Sequence, residues 1–168
     1  MGAKNNDIGS MVDTAPPELH HPCSPADAAA FLHVADELAL ARGRRMTRLR
    51  RKVLSLLLEA KGPAKAYDLL ERLDGEGSPK PPTIYRALEF LQDIGLVHKI
   101  ESLNAFIACG HAGHSHSAMF LICDACGRAE ELHSKTTTPA LEAETEAAGF
   151  CMSRAVIEVT GVCRACTA

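Results

Sequence analysis

The sequence predicts a mixed α+β chain, in which an N-terminal winged helix-turn-helix domain precedes a small C-terminal α+β dimerisation domain with a three-stranded sheet. Two observations predict this fold class. At 168 residues the chain is long enough for two small domains, each with its own core. Its character also changes near residue 109: helical, Leu- and Arg-rich segments come before this point, and most of the cysteines, a group of histidines and strand-like runs come after it.

Four helices and a hairpin are expected in the first half. Apolar residues at helical spacing, with capping residues and Gly stops, predict helices within residues 25–43, 47–62, 64–75 and 82–95, the second of them capped by Thr47. "GLVHKIE" and "NAFIAC", joined by "SLN", are typical of two hairpin strands. This order is that of a winged helix-turn-helix, whose last helix enters the major groove of DNA. We expect residues 25–108 to form this domain and the polar, Pro-containing residues 1–24 to form a disordered tail.

The distribution of charge favours nucleic acid more than the formal net charge of −3 does. Arginines are concentrated between Arg42 and Lys52, and such a one-sided basic patch is typical of phosphate contact. The candidates for phosphate contact within it are Arg44, Arg45, Arg48 and Arg51. Tyr85 and Arg86 lie outside the apolar stripe of the last helix, near its N-terminal end, and are candidates for contact with phosphates and bases. A merely solvated helix face is the alternative for both sets.

Residues 109–168 are expected to form the second domain. The runs "AMFLIC", "RAEELH" and "FCMSRAVIEVTG" indicate three strands, and "TTTPALEAETEAAG" indicates a helix before the last of them. We expect Cys151 to be a buried apolar thiol on that last strand. Because so small a sheet leaves strand edges open, we expect it to pair with a second copy of the chain.

Two C-x-x-C pairs predict a structural zinc site. No segment has the apolar length of a membrane span or the pattern of a signal peptide, so we expect a cytoplasmic protein, in which cysteines indicate metal binding or catalysis before disulfides. The spacing within each pair suits zinc, and a closed four-thiolate shell is typical of a structural ion. The four cysteines are Cys123, Cys126, Cys163 and Cys166. A redox disulfide is the alternative, but neither pair opens a clear helix.

A second group of candidate ligands draws on both halves of the chain. Any four of its members would give zinc a shell of nitrogen, sulfur and oxygen: His98, Cys109, His111, His114, His116 and Glu131. With fewer thiolates this site should exchange its ion more readily, and ligands on two domains would make it a latch. Glu131 is preferred to Glu130 because it shares a strand face with Ala129, and His133 on the same face is an auxiliary candidate. A soluble His-rich loop with adventitious metal affinity is the alternative.

Four stretches of the sequence together resemble a known family: "AYDLL", "KPPTIYRALEFLQDIGLVHKIES", "HSAMFLICDACG" and "VIEVTGVCRACT". The family is the ferric uptake regulator (Fur) superfamily, and within it the zinc-responsive branch, the zinc uptake regulators (Zur). The resemblance covers roughly residues 25–167. It implies a homodimeric winged-helix repressor, not an enzyme, that binds operator DNA when zinc-loaded and shuts off zinc-acquisition genes.

The resemblance also implies roles for individual residues. One structural zinc ion per chain would be held by the four cysteines of the C-x-x-C pairs. One regulatory zinc ion would be held by His98, Cys109, His116 and Glu131. DNA would be contacted by Tyr67, Tyr85 and Arg86. The loop after Cys109 is unusually rich in histidine, so His114 could replace His116, and the candidate auxiliary ligands are His111, His114 and His133.

Other functions stay open as alternatives. The iron- and peroxide-sensing branches of the superfamily commonly carry a His-His-Asp-His-like run where this chain has "SAMFLI", and a metal ligand where it has Arg154. The additional metal site of those branches is therefore not expected here, which favours zinc over iron. A Fur-type regulator that senses another metal or peroxide stays an alternative. A thiol oxidoreductase and a zinc buffer are the alternatives from other classes. The buffer would leave the arginine cluster without a purpose.

Overall fold

The computed structural model describes residues 25–60, 62–73, 79–110, 117–132 and 134–167, so the tail expected at residues 1–24 falls outside the described part. The first half contains α1 Pro25–Ala41, α2 Arg48–Glu59, α3 Ala66–Arg72, α4 Pro81–Asp93, β1 Val97–Ile100 and β2 Ala105–Ala108. The second half contains β3 Ala118–Cys123, β4 Ala129–Leu132, α5 Thr137–Ala147 and β5 Val156–Gly161. The predicted α+β class with a three-stranded C-terminal sheet is confirmed. Within the described ranges, no helix combines the length and apolar character needed to cross a membrane.

Helices α2 and α4 form the centre of the first core. Thr47 caps α2, as predicted, because its hydroxyl accepts a hydrogen bond from the backbone N–H of Arg50 at 3.4 Å. Helix α4 begins at Pro81, a position where no intrahelical donor is needed. Leu54 of α2 and Leu88 of α4 are fully buried in the same apolar cluster. This packing holds α4 in place while leaving its N-terminal end at the surface.

The hairpin is packed on both of its faces. Strands β1 and β2 pair antiparallel, and every residue of β2 is buried. Phe106 and Ala108 belong to the helical core, whereas Ile107 points the other way and packs with Ile100 in a second cluster. Alternate side chains of a strand point to opposite faces. The hairpin is therefore a layer between the helices and the C-terminal sheet.

The C-terminal sheet has the strand order β4-β3-β5, with β4 antiparallel and β5 parallel to β3. Its inner face carries Ala118, Phe120 and Ile122, which are buried against Ile100 and Ile107 of the hairpin. Parallel neighbours need a long connection, and β4 with α5 forms it. The inner face is thus covered by the same hairpin that the helices cover from the other side.

The outer face of the same sheet is uncovered within the described part of the chain. Leu121 and Val159, which are register partners on β3 and β5, are 37% and 46% exposed. Helix α5 buries none of its residues. Apolar side chains grouped on a surface in this way indicate a contact with another molecule.

Two expectations about the last strand are wrong. Strand β5 begins at Val156, not near residue 150, because its parallel pairing with the six-residue β3 starts where Ala118 meets Val156. Cys151 therefore lies before the strand and is exposed, not buried.

Candidate metal centres and nucleic-acid interface

Four cysteine thiols come together where β3 and β5 end. The parallel register places Cys123 beside Gly161, so the chain that leaves β5 carries Cys163 towards the first C-x-x-C pair. The four Sγ atoms lie within 4.8 Å of one another, and those of Cys126 and Cys163 are 3.9 Å apart. A disulfide needs a separation of about 2.05 Å, and all four thiols are free. The strands thus bring together the two pairs that are far apart in sequence.

The thiols of this four-cysteine cluster differ in acidity. Hydrogen bonds from the backbone N–H groups of Cys163 and Cys126 lower the pKa of Cys123 to about 6, which favours its thiolate. The side chain of Cys163, followed by that of Cys126, raises the pKa of Cys166 to about 12. Thiolates this close repel one another, and a bound divalent cation removes that repulsion. The donor set fits zinc, for which four thiolates form a closed tetrahedral shell.

A second group of donor atoms, here called the mixed cluster, joins the hairpin to the sheet. His98 of β1, Cys109 just after β2 and Glu131 of β4 offer ligand atoms within 4.8 Å of one another. Cys109 is fully buried, and its backbone N–H donates to the carbonyl of Leu96 at 2.9 Å, which extends the hairpin pairing. Nε2 of His98 is 3.5 Å from Oε1 of Glu131. Nitrogen, sulfur and oxygen donors of these types fit zinc.

Glu131 faces the hairpin because of the alternation in β4. Ala129 and Glu131 are buried, whereas Glu130 between them is only half-buried. Glu131 is the one buried charged residue in the part of the chain that the structure describes, and its Oε2 accepts a hydrogen bond from the backbone N–H of Gly110 at 3.1 Å. A buried carboxylate needs hydrogen bonds or a cation to offset its lost hydration. The mixed cluster is a position where a metal ion would meet that need.

The other predicted ligands lie outside the described residues. They are His111, His114, His116 and His133. His98, Cys109 and Glu131 are therefore the described members of the predicted regulatory set, and the choice between His116 and His114 stays a prediction.

The N-terminal part of α4 presents polar side chains to solvent. Tyr85 and Arg86 are exposed, while Ile84 and Leu88 of the same helix are buried. Tyr67 on α3 is 62% exposed. Hydroxyl and guanidinium groups on such a surface can donate hydrogen bonds to phosphate oxygens and base edges. The three predicted DNA contacts therefore belong to the accessible surface.

Part of the predicted arginine patch is occupied by contacts within the chain. Arg44 pairs with Asp93 at 3.1 Å, and its guanidinium carbon lies 4.5 Å from the ring centroid of Phe90. Arg51 forms an ion pair with Asp36. A phosphate would have to compete with these partners. The other two predicted contacts are exposed: Arg45 and Arg48.

One carboxylate near the hairpin has no counterpart among the sequence predictions. Glu158 of β5 accepts hydrogen bonds from the backbone N–H groups of Glu101 at 2.7 Å and Ser102 at 3.1 Å, both in the hairpin turn. Burial raises the pKa of Glu158, but hydrogen bonds from the Ser102 side chain and from these N–H groups outweigh it and lower the pKa below its ordinary value. The available signal in the sequence is "VIEV", an acidic residue inside an apolar strand.

A family model described as the ferric uptake regulator family matches residues 41–160, which is more than half of the chain. The chain belongs to the ferric uptake regulator family. The resemblance seen in the sequence is therefore confirmed. Members of the Fur family are transcription regulators and not enzymes, so the thiol-oxidoreductase alternative is set aside.

Relatives of this Fur-family chain include zinc regulators. The zinc uptake regulation protein of Escherichia coli (strain K12) is 37% identical over 138 residues, which cover 81% of this chain and 81% of the relative. A structure of a zinc uptake regulator complexed with zinc and DNA superposes with a TM-score of 0.78 at 36% identity, and covers 83% of this chain and 95% of its own.

A third relative has been solved in two states. The holo form of XcZur superposes with a TM-score of 0.74 at 42% identity, covering 82% of this chain and 97% of its own. The apo form superposes with a TM-score of 0.50 at 43% identity, covering 85% of this chain and 99% of its own. Both forms match over a similar length, and this chain superposes less well on the apo form. The Fur-family chain described here is closer to the holo arrangement.

Replacing two adjacent glutamates one at a time tests which face of β4 carries the metal ligand. Glu131→Gln is expected to weaken zinc binding at the mixed cluster by at least about tenfold, because it removes the buried charge while keeping the shape of the side chain. Zinc affinity is measured by competition with a colorimetric chelator, with the four-cysteine cluster already filled. The matched control Glu130→Gln should bind like the wild type. Equal affinities in the two variants would contradict the assignment of Glu131.

Proposed function

We propose that the chain is a zinc-responsive transcription repressor that binds operator DNA as a zinc-loaded homodimer and represses genes of zinc uptake. The observation that carries this proposal is the mixed cluster, whose donors come from the hairpin, from the residue that follows it and from the C-terminal sheet. Residues that hold one ion between two parts of a molecule couple the occupancy of that ion to the arrangement of the parts. Here the coupled part includes α4, the helix that reads DNA.

The two clusters suit different tasks. Four thiolates around Zn²⁺ leave a net charge of −2 and a shell made only of the ligands a soft metal binds best, which suits a structural ion. One thiolate and one carboxylate with neutral imidazoles leave no net charge and fewer thiolate bonds, which suits an ion that exchanges. We therefore assign one structural ion to Cys123, Cys126, Cys163 and Cys166. We assign one regulatory ion to His98, Cys109, Glu131 and His116, with His114 as the alternative to His116.

The arrangement of the described residues supports a zinc-dependent switch. This chain superposes better on holo XcZur and on the regulator complexed with zinc and DNA than on apo XcZur. A ligand shifts such an equilibrium only if it binds one arrangement better than the other. The mixed cluster meets this condition, because His98 and Cys109 reach Glu131 only while the hairpin lies on the sheet.

DNA would be contacted through the exposed ends of α3 and α4. Tyr85 and Arg86 would enter the major groove with α4, and Tyr67 would contact the backbone. Arg45 and Arg48 would add phosphate contacts from exposed positions. Phosphate contacts from Arg44, Arg48 or Arg51 would compete with the contacts that these arginines make within the chain. A cytoplasmic location follows from this task.

The uncovered sheet face supports the homodimer. Leu121 and Val159 offer an apolar surface that a second copy can cover in a self-complementary way. Val162, just beyond β5, is also exposed and lines the same surface groove as Leu121 and Val159. A dimer would also present two copies of α4 to successive turns of the major groove.

Zinc-dependent DNA binding tests the proposed switch. DNA selected from a random library by the zinc-loaded wild type serves as the probe, and binding is followed by fluorescence anisotropy at buffered free zinc concentrations. His98→Ala and Cys109→Ser should each need at least about tenfold more free zinc for half-maximal binding, because a ligand is lost. The control Cys151→Ser changes an exposed thiol outside both clusters and should respond like the wild type. An unchanged zinc response in both ligand variants would exclude the switch.

The same assay with other metals tests selectivity. Activation of DNA binding by iron or manganese at lower free concentrations than zinc would favour the alternative, a Fur-type regulator that senses another metal.

Arg86 can be tested on the same probe. Arg86→Ala should cost about 1–3 kcal/mol of binding free energy and reduce discrimination between the selected DNA and a scrambled sequence. Arg128→Ala, which removes an exposed arginine from the turn between β3 and β4, should leave both unchanged. A loss of affinity without a loss of discrimination would assign Arg86 to phosphate contact alone.

The dimer face can be tested by adding a charge. Val159→Glu should convert the dimer to a monomer, because the interface would bury an unpaired carboxylate. Light scattering after size-exclusion chromatography gives the mass. Leu40→Glu puts the same charge on a 77% exposed position of α1 and should stay dimeric. A dimeric Val159→Glu would exclude this face.

A further inference from the structure

Three residues form one row across the inner face of the C-terminal sheet. Phe120 of the central strand pairs with Glu131 on one side and with Glu158 on the other. Register partners point to the same face of a sheet, so both carboxylates flank the Phe120 ring. That ring lies edge-on to His98 of the hairpin, with 5.6 Å between the ring centroids.

The two carboxylates hold opposite ends of the hairpin. Glu131 reaches its base, where Oε1 lies 3.5 Å from Nε2 of His98 and Oε2 accepts the N–H of Gly110. Glu158 reaches its turn, where its two oxygens accept the N–H groups of Glu101 and Ser102. Hydrogen bonds to a charged acceptor are stronger and more directional than neutral ones. Apolar packing through Ile100 and Ile107 fills the space between these two points.

We propose that Glu158 is a positioning residue that sets the metal affinity of the mixed cluster without contacting it. Its two hydrogen bonds stabilise the arrangement in which the hairpin lies on the sheet, and only in that arrangement do His98 and Cys109 meet Glu131. The proposal rests on the proposed function in one respect: it takes the mixed cluster as the regulatory metal site.

The size of the effect follows from linkage. The apparent affinity for a metal ion is the intrinsic affinity multiplied by the fraction of molecules that have the binding arrangement. When that fraction is small, it falls in proportion to the stabilisation that the binding arrangement loses. Loss of both hydrogen bonds to Glu158 should therefore weaken the mixed cluster by roughly 10- to 100-fold. The four-cysteine cluster depends on β3 and β5 and should keep its affinity.

A graded pair of variants tests this role. Glu158→Ala removes both hydrogen-bond acceptors. Glu158→Gln keeps one acceptor oxygen but places an amide NH₂ group opposite the second backbone N–H. The loss of zinc affinity at the mixed cluster should therefore be larger for Glu158→Ala. Glu130→Gln is the control, because it changes a carboxylate of the same sheet on the outer face. Affinity at the mixed cluster is measured by chelator competition. Hydrogen exchange of the Glu101 and Ser102 amides is measured by NMR in the zinc-loaded proteins and should accelerate in both Glu158 variants.

Each outcome bears on the proposal. Wild-type affinity in both variants would overturn it, and so would slow exchange of the two amides. Equal weakening of both metal clusters would also overturn it, because Glu158 would then support the fold as a whole. If Glu158→Ala fails to fold, Glu158→Gln carries the test. A wild type whose DNA binding ignores zinc would refute the proposed switch, yet the effect of Glu158 on metal affinity and amide exchange would still be measurable.

Discussion

The whole structure depends on a β-hairpin that is buried on both faces. Phe106 and Ala108 join the helical core on one side, and Ile100 and Ile107 join the core of the C-terminal sheet on the other. Packed interiors have few voids and deform little. The hairpin therefore cannot shift on the sheet without moving the helices that pack against it. Any interaction that fixes the hairpin on the sheet also fixes the direction in which α4 points.

Apolar burial and hydrogen bonds to carboxylates both hold this hairpin on the sheet, and they differ in how well they fix its orientation. Burial of isoleucine and phenylalanine side chains stabilises contact but has little directional preference, so on its own it specifies the orientation of the hairpin only weakly. Hydrogen bonds from carboxylates to named atoms specify that orientation more sharply. Glu131 and Glu158 engage groups at the two ends of the hairpin, and two separated points define an orientation that one point would leave free. A metal ion held at one of these ends would then act on an orientation already limited at the other.

The sequence predicted those features that depend on local chemistry. Thr47 as a cap, the apolar stripe of α4 and the shared strand face of Ala129 and Glu131 follow from residue type and spacing. What it did not predict depends on pairing between distant segments. The start of β5, and with it the exposure of Cys151, follows from the length of β3. The ion pairs of Arg44 and Arg51 need partners in α4 and α1, respectively. The role of Glu158 needs the hairpin turn, which lies 56 and 57 residues away in the sequence.

The four-cysteine cluster also helps to fix the register between β3 and β5. It ties the end of β3 to the chain just after β5, and the parallel pairing between them is what places Glu158 beside Phe120 and hence in line with Glu131. A slip by one residue would turn Glu158 to the outer face, because side chains alternate along a strand. Both hydrogen bonds to the hairpin turn would be lost, and a carboxylate would enter the apolar surface assigned to the dimer. The four-cysteine cluster includes no residue of the hairpin, yet by fixing this register it keeps Glu131 and Glu158 on the sheet face that the hairpin covers.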